Sequence, residues 1–204
     1  AVAAEAKKPA KSNQTNSDDM WVAKPQPASL PANVTHHTYR SAAMKRDVGY
    51  CIYLPPGYAQ DTTRRYPVIY HLHGAGGNET RTVHNAEVLH AGVLAGKWPE
   101  FIMVFPNGGR ATMYQDSADG RFPAETTFVK ELLPHIDTTY RTIADRKGRC
   151  IEGFSMGGRG STKLALKYPD MFCSLFNQAG NVMHVSEQYD PANKSHYLGT
   201  DKAN

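Results

Sequence analysis

The segment Gly153-Phe154-Ser155-Met156-Gly157 follows the apolar strand end Arg149-Cys150-Ile151-Glu152 and opens a helical pattern from about Met156 to Lys167. Nucleophilic chemistry at a serine needs this order of elements. A serine hydroxyl attacks poorly at neutral pH, so it must be held on a tight corner within reach of a base. Glycines on either side let the backbone turn sharply and let strand and helix come close. The helix then points its N-terminal amides at the reaction centre. The competing structural explanation is a glycine-rich turn whose serine merely caps the helix. With 17 Gly in 204 residues the pattern alone can arise by chance, so its strand-turn-helix context carries the weight.

A second stretch supplies the complementary half of such a site. Tyr66-Pro67-Val68-Ile69-Tyr70-His71-Leu72-His73 reads as a buried strand and ends in Gly74-Ala75-Gly76-Gly77. Acyl transfer needs two donors aimed at the oxygen that becomes negative in the tetrahedral intermediate. The Met156 amide, next to the serine, would be one, and the Ala75 amide of the glycine loop the other. No Gly-Lys-Ser/Thr follows this loop, so it is not a phosphate loop, and it lacks the spacing of a dinucleotide fingerprint.

The elements that must position these residues follow a regular rhythm. Val34–Arg40 and Val48–Leu54 alternate as an antiparallel strand pair closed by Pro55-Pro56-Gly57. Then come a strand over 68–72, a helical pattern over 82–94 and a strand over 101–105 closed by Pro106-Asn107-Gly108-Gly109. An amphipathic helix is predicted over 126–140, with strands over 149–154 and 171–176 around the helix after Ser155. Alternating strands and helices predict an α/β fold with a mostly parallel sheet, covered on both faces and edged by the N-terminal antiparallel pair. Ligands bind such sheets at the carboxyl ends of the strands, where Ser155 and the Gly74 loop both fall.

Composition sets outer bounds. The 40% hydrophobic and 21% charged fractions fit one ordinary globular domain, assigned to residues 32–204, preceded by a polar, flexible tail over 1–31. A net charge of +4, scattered along the chain, predicts a solvated surface and no nucleic-acid partner. No apolar run reaches membrane-span length, so no membrane partner is expected. Ala1-Val2-Ala3-Ala4-Glu5-Ala6 looks like the small-residue end of a secretory signal and points to export. The sequons at Asn13, Asn33, Asn78 and Asn193 carry meaning only in a eukaryotic host. Cys51, Cys150 and Cys173 show no metal-like spacing, and Cys150 and Cys173 are expected as buried thiols. His71 and His73 share one strand face but lack a third ligand, so structural hydrogen bonds are expected there rather than a metal. Glu152 is expected to support its strand rather than transfer protons.

Taken together, these segments resemble the esterase branch of the α/β-hydrolases, which includes feruloyl esterases, acetylxylan esterases, S-formylglutathione hydrolases and mycolyltransferase-like proteins. The resemblance covers roughly residues 39–180. It rests on Tyr53-Leu54-Pro55-Pro56-Gly57-Tyr58, the strand-His-Gly loop, Pro106-Asn107-Gly108-Gly109, Glu131-Leu132-Leu133-Pro134-His135-Ile136-Asp137 and the Ser155 corner. It implies that Ser155 is the nucleophile, that Ala75 and Met156 form the oxyanion hole, and that His73, Gly74, Tyr114 and Phe154 lie at the substrate rim. It implies no cofactor and no metal. The implied substrate is a carbohydrate-linked ester, feruloyl or acetyl, of plant cell-wall polysaccharide.

The departure from the family concerns the triad. Family members place an acid and then a histidine after two further strands, whereas the last readable strand here ends near Phe176. The sheet is therefore expected to lack its last strands. Asp190 as acid and His196 as base preserve the order only if the segment after Gly180 folds back over the rim; His184 is a stand-in base, and Asp170 reads as a turn residue. The alternative function is a weak or inactive hydrolase-like carbohydrate-binding protein that needs a partner chain. An open sheet edge also predicts a homo-oligomer.

Overall fold

The computed structural model describes residues 20–26 and 29–181. Six strands form one sheet: β1 (Val34–Ser41), β2 (Arg46–Tyr53), β3 (Val68–Leu72), β4 (Ile102–Pro106), β5 (Arg149–Phe154) and β6 (Ser174–Gln178). Their order is β1-β2-β4-β3-β5-β6. β1–β2 and β2–β4 pair antiparallel, and β4, β3, β5 and β6 run parallel, as the strand-helix rhythm predicts. The helices are α1 (Asn85–Leu94), α2 (Ala124–Thr126), α3 (Leu133–Thr139) and α4 (Met156–Lys167).

Strand alternation sorts the apolar residues onto two faces. Ile52, Val68, Tyr70, Leu72, Ile102, Val104 and Ile151 join a core completed by Phe128, Leu132, Ile136, Met156 and Leu164 from the α2–α3 and α4 layer. Cys51, Tyr53, Met103 and Phe105 point the other way, where Val83 and Ala86 of the α1 segment meet them. Among the described residues β6 is the edge strand, with Leu175 and Phe176 exposed.

Three expectations are corrected. Part of the span assigned to a loose tail is packed: Trp21 lies in the core, and its carbonyl accepts from the Gly49 amide at 2.8 Å. Burying an indole removes a large apolar area from water. The helix predicted over 126–140 starts at Ala124 and passes through a π-helical stretch, Thr127–Leu132, before α3. Pro134 has no amide to donate to Lys130 and its ring crowds that carbonyl; the wider turn just before it, where Leu133 N–H reaches Phe128 O, absorbs the mismatch. The last strand begins at Ser174 rather than Met171 and runs on to Gln178. Its polar end, Asn177-Gln178, hid it from an apolar-run reading.

The second layer is tied down by charge. Glu125 on α2 meets Lys163 and Lys167 of α4 at 2.6 Å each and accepts from Tyr168 Oη at 2.7 Å. Burial pushes the Glu125 carboxyl up, but the hydrogen bonds from Lys163, Lys167 and Tyr168 outweigh it and hold the pKa at about 2. Arg149 at the start of β5 pairs with Asp137 of α3. α4, the helix that must aim its N-terminus at the serine, is therefore fixed at its far end by ion pairs and along its length by the core.

Candidate active site

The chain reverses sharply between β5 and α4, and Ser155 sits on the corner at φ 52° and ψ −112°. This conformation is unfavourable for a residue with a Cβ, and such strain persists only where the surroundings over-determine it. Here they do. The Ser155 amide donates to Gln178 O at 2.8 Å, and Ser155 O accepts from Arg159 N at 3.0 Å. The close approach of strand and helix requires glycine. A Cβ on Gly157 would lie 1.9 Å from Leu72 O, and one on Gly153 would lie 2.3 Å from the carbonyl carbon of Gly157. Ser155 makes no side-chain capping bond to α4, and it is half-buried rather than enclosed. The capping explanation of this serine therefore fails.

The glycine loop stands beside this corner. A Cβ on Gly74 would lie 3.2 Å from Phe154 Cδ1 and 3.4 Å from Phe154 O. Within the loop, Gly76 N–H donates to Arg110 O at 2.7 Å and Gly77 N–H to Gly74 O at 3.1 Å. The Ala75 amide, in an exposed residue, makes no hydrogen bond among the described residues. Met156 is the first residue of α4, whose leading amides have no acceptor inside the helix. Phe154 is exposed next to Gly74.

His73 and Tyr114, expected at the substrate rim, are instead buried beneath it. His73 Nδ1 donates to Gly74 O at 2.8 Å while its Nε2 accepts from Gly108 N at 3.2 Å, so the imidazole pins the loop. The Tyr114 ring fills the space that a Cβ on Gly108 or Gly160 would need, linking the 107–109 loop to α4. Both positions follow from packing under the corner, which strand-end location alone does not reveal. His71, by contrast, meets the structural expectation: its Nδ1 lies 2.9 Å from Glu152 Oε1.

Burial holds the His73 pKa down at about 4, against the opposing pull of the Gly74 carbonyl and Glu79. A second proton would have to sit on Nε2, facing the Gly108 N–H. The unfolded chain, titrating near 6.5, takes up that proton first. The His73 contribution to stability is therefore intact above about pH 6.5 and is lost progressively towards pH 4, by as much as about 3 kcal/mol. Urea unfolding at pH 7, 5.5 and 4 should show this decline, and His73→Gln should flatten it. A wild-type profile level across that window would contradict the assignment.

Sequence reasoning missed Glu79 and Asn177. The buried Glu79 carboxylate accepts from Ala23 N at 2.7 Å and Asn107 Nδ2 at 2.6 Å, and lies 3.0 Å from His36 Nε2. It thus joins the glycine loop to the N-terminal segment, β1 and the 107–109 loop. Asn177 accepts from Gly180 N at 2.6 Å and donates to Thr162 Oγ1 at 2.9 Å, fixing the end of β6 against α4. Neither lies in a spacing that marks it; only the folded contacts do. Asp170 is exposed in the turn after α4, as its sequence context indicates. Asp190, His196 and His184 lie outside the described residues.

A mostly parallel sheet with an antiparallel edge pair and a strained serine between strand and helix defines an α/β-hydrolase-like scaffold. The family model described as "Putative esterase" matches residues 41–203, and the chain belongs to that esterase family. It is 34% identical over 149 residues to an esterase of Mycobacterium tuberculosis, covering 71% of this chain and 32% of that protein. It is also 34% identical over 149 residues to an endo-1,4-beta-xylanase/feruloyl esterase of Xylanibacter ruminicola, covering 69% of this chain and 20% of that one. The chain thus spans a third or less of these relatives. Among solved structures, a ferulic acid esterase superposes with a TM-score of 0.71 at 31% identity, covering 82% of this chain and 66% of that one. An S-formylglutathione hydrolase from Agrobacterium tumefaciens, at 23% identity and TM-score 0.65, shares the fold.

Proposed function

We propose that this chain is a serine carboxylic-ester hydrolase that works through an acyl-enzyme on Ser155. The observation that carries the proposal is the strained, uncapped, half-buried serine set beside the glycine loop. In this reading Ser155 Oγ attacks the ester carbonyl, its proton passes to a base, and the alcohol leaves with a proton returned by that base. Water then releases the acid. The amides of Ala75 and Met156 receive the charge that develops on the carbonyl oxygen. His196 as base and Asp190 as acid complete the proposed triad.

The substrate class is a feruloyl or acetyl ester of plant cell-wall polysaccharide. Its support is the likeness to the xylanase/feruloyl esterase and to the ferulic acid esterase structure. Phe154, exposed beside Gly74, offers an aromatic surface for a hydroxycinnamoyl ring. Export and pairing of two copies along the β6 edge belong to the same reading; light scattering of a clean monomer would remove the second.

A fluorophosphonate probe tests the core of the proposal. It should add one adduct, located by mass spectrometry to Ser155, and the adduct should vanish in Ser155→Ala and fall sharply in His196→Ala. Folded protein that takes up no probe would overturn the hydrolase reading and favour a binding role. Labelling retained in His196→Ala would place the base elsewhere.

A further inference from the structure

The expectation that Cys150 and Cys173 are both buried is corrected by the structure. Cys173 is exposed and Cys150 only half-buried, whereas Cys51 is buried without access to water. The Cys150 and Cys173 sulfurs lie 3.9 Å apart, and the Cys173 amide donates to Arg149 O at 2.9 Å, so the two residues lie beside one rung between β5 and the start of β6. A disulfide bond is about 2.05 Å long, so the sulfurs must close by about 2 Å through side-chain rotation, from residues one apart in register, since Cys150 pairs with Ser174 across the two strands.

We propose that Cys150 and Cys173 are a disulfide-forming pair that clamps the serine-bearing unit under oxidising conditions. The two residues are 23 apart in sequence. The loop they would close contains the end of β5, the Ser155 corner, all of α4 and the turn into β6. β6 is the edge strand among the described residues, and its Gln178 carbonyl holds the Ser155 amide. A covalent tie at the start of this edge strand would therefore hold the element that over-determines the strained corner.

The chemistry balances with a low-molecular-weight disulfide as oxidant. The exposed Cys173, as thiolate, attacks one sulfur of the small disulfide and releases one small thiolate. Cys150, as thiolate, then attacks the Cys173 sulfur of the mixed disulfide and releases the second. The two cysteines lose two protons and two electrons, and the small disulfide is reduced to two thiols. Burial and the neighbouring Cys173 push the Cys150 thiol up to about 11, so little of it is thiolate at neutral pH, and its attack relies on the Cys173 sulfur already lying beside it. Cys51, pushed up to about 12 by burial and Glu79, has no cysteine partner and stays reduced.

The test uses the whole chain incubated with oxidised glutathione, then alkylated under denaturing conditions. Of the 3 cysteines, only Cys51 should remain alkylatable, and non-reducing peptide mapping should join the Cys150 and Cys173 peptides. The melting temperature should rise by about 5–10 °C, the scale expected from closing a loop of this length in a domain of this size. The rise should disappear with dithiothreitol and be absent in Cys173→Ser, while Cys51→Ser should still show it. Three alkylatable thiols, a lasting glutathione adduct on Cys173, or a covalent dimer through Cys173 would overturn the pairing. A crosslink that leaves the melting temperature unchanged would overturn the clamp. None of these readouts depends on ester turnover, so the result is separable from that of the hydrolase proposal.

Discussion

Gly157→Ala should leave little or no folded protein. The methyl group it adds would sit 1.9 Å from Leu72 O, 2.4 Å from Leu72 C and 2.9 Å from His73 O. All three contacts are backbone atoms of β3 and the strand end that launches the glycine loop, so no side-chain rotation relieves them. Relief requires moving α4 off the sheet, which breaks the packing of Met156 and Leu164 and shifts the corner away from the loop. Changes of this kind belong to the severe end of single substitutions, above about 4 kcal/mol. Circular dichroism and solubility should report the loss directly. A Gly157→Ala protein that melts within about 2 °C of wild type would show that strand and helix leave room for a methyl group at this contact.

The second large effect separates chemistry from stability at one residue. Removing the nucleophile in Ser155→Ala should cut turnover of an activated phenyl ester by on the order of 10^4-fold or more. Ser155→Gly should lose turnover as completely, yet melt higher than Ser155→Ala. At φ 52° and ψ −112° a residue with a Cβ stores roughly 1–3 kcal/mol of strain that glycine does not. Against this stands the extra freedom glycine brings to the unfolded chain, about 0.4–1 kcal/mol. The net gain is about 1 kcal/mol, or about 2–4 °C. A Ser155→Gly protein that melts below Ser155→Ala would show that the corner is unstrained, since glycine's freedom in the unfolded chain would then be uncompensated. Turnover retained in either would remove Ser155 from the reaction.

Much of the site was legible because its signals are local. A glycine corner and an amphipathic run mark the helix after the serine as about Met156 to Lys167, the span it occupies. Sheet character followed from strands alternating with helices, because parallel neighbours need a crossover connection of about this length, usually a helix. His73 and Tyr114 were misplaced for the opposite reason. Being near a strand's carboxyl end locates a residue along the strand, whereas rim or underside depends on what packs across from it. Gly108 and Gly160 leave room for the Tyr114 ring, and the Gly108 amide turns His73 inward. The helix expected over 126–140 lies over 124–139 and is interrupted, because its π-helical turn answers a clash between Pro134 and a carbonyl one turn earlier, which apolar periodicity does not register.

Sequence alone settled what depends on near neighbours along the chain: the α/β class, the strand-serine-helix corner, the glycine loop and the resemblance to esterases. The tertiary structure alone decided what depends on residues far apart in number. It set Glu79 between Ala23, His36 and Asn107, brought Gln178 to the Ser155 amide, and laid Cys173 against Cys150. Such contacts come from sheet order and register, which many sequences share and no short pattern encodes.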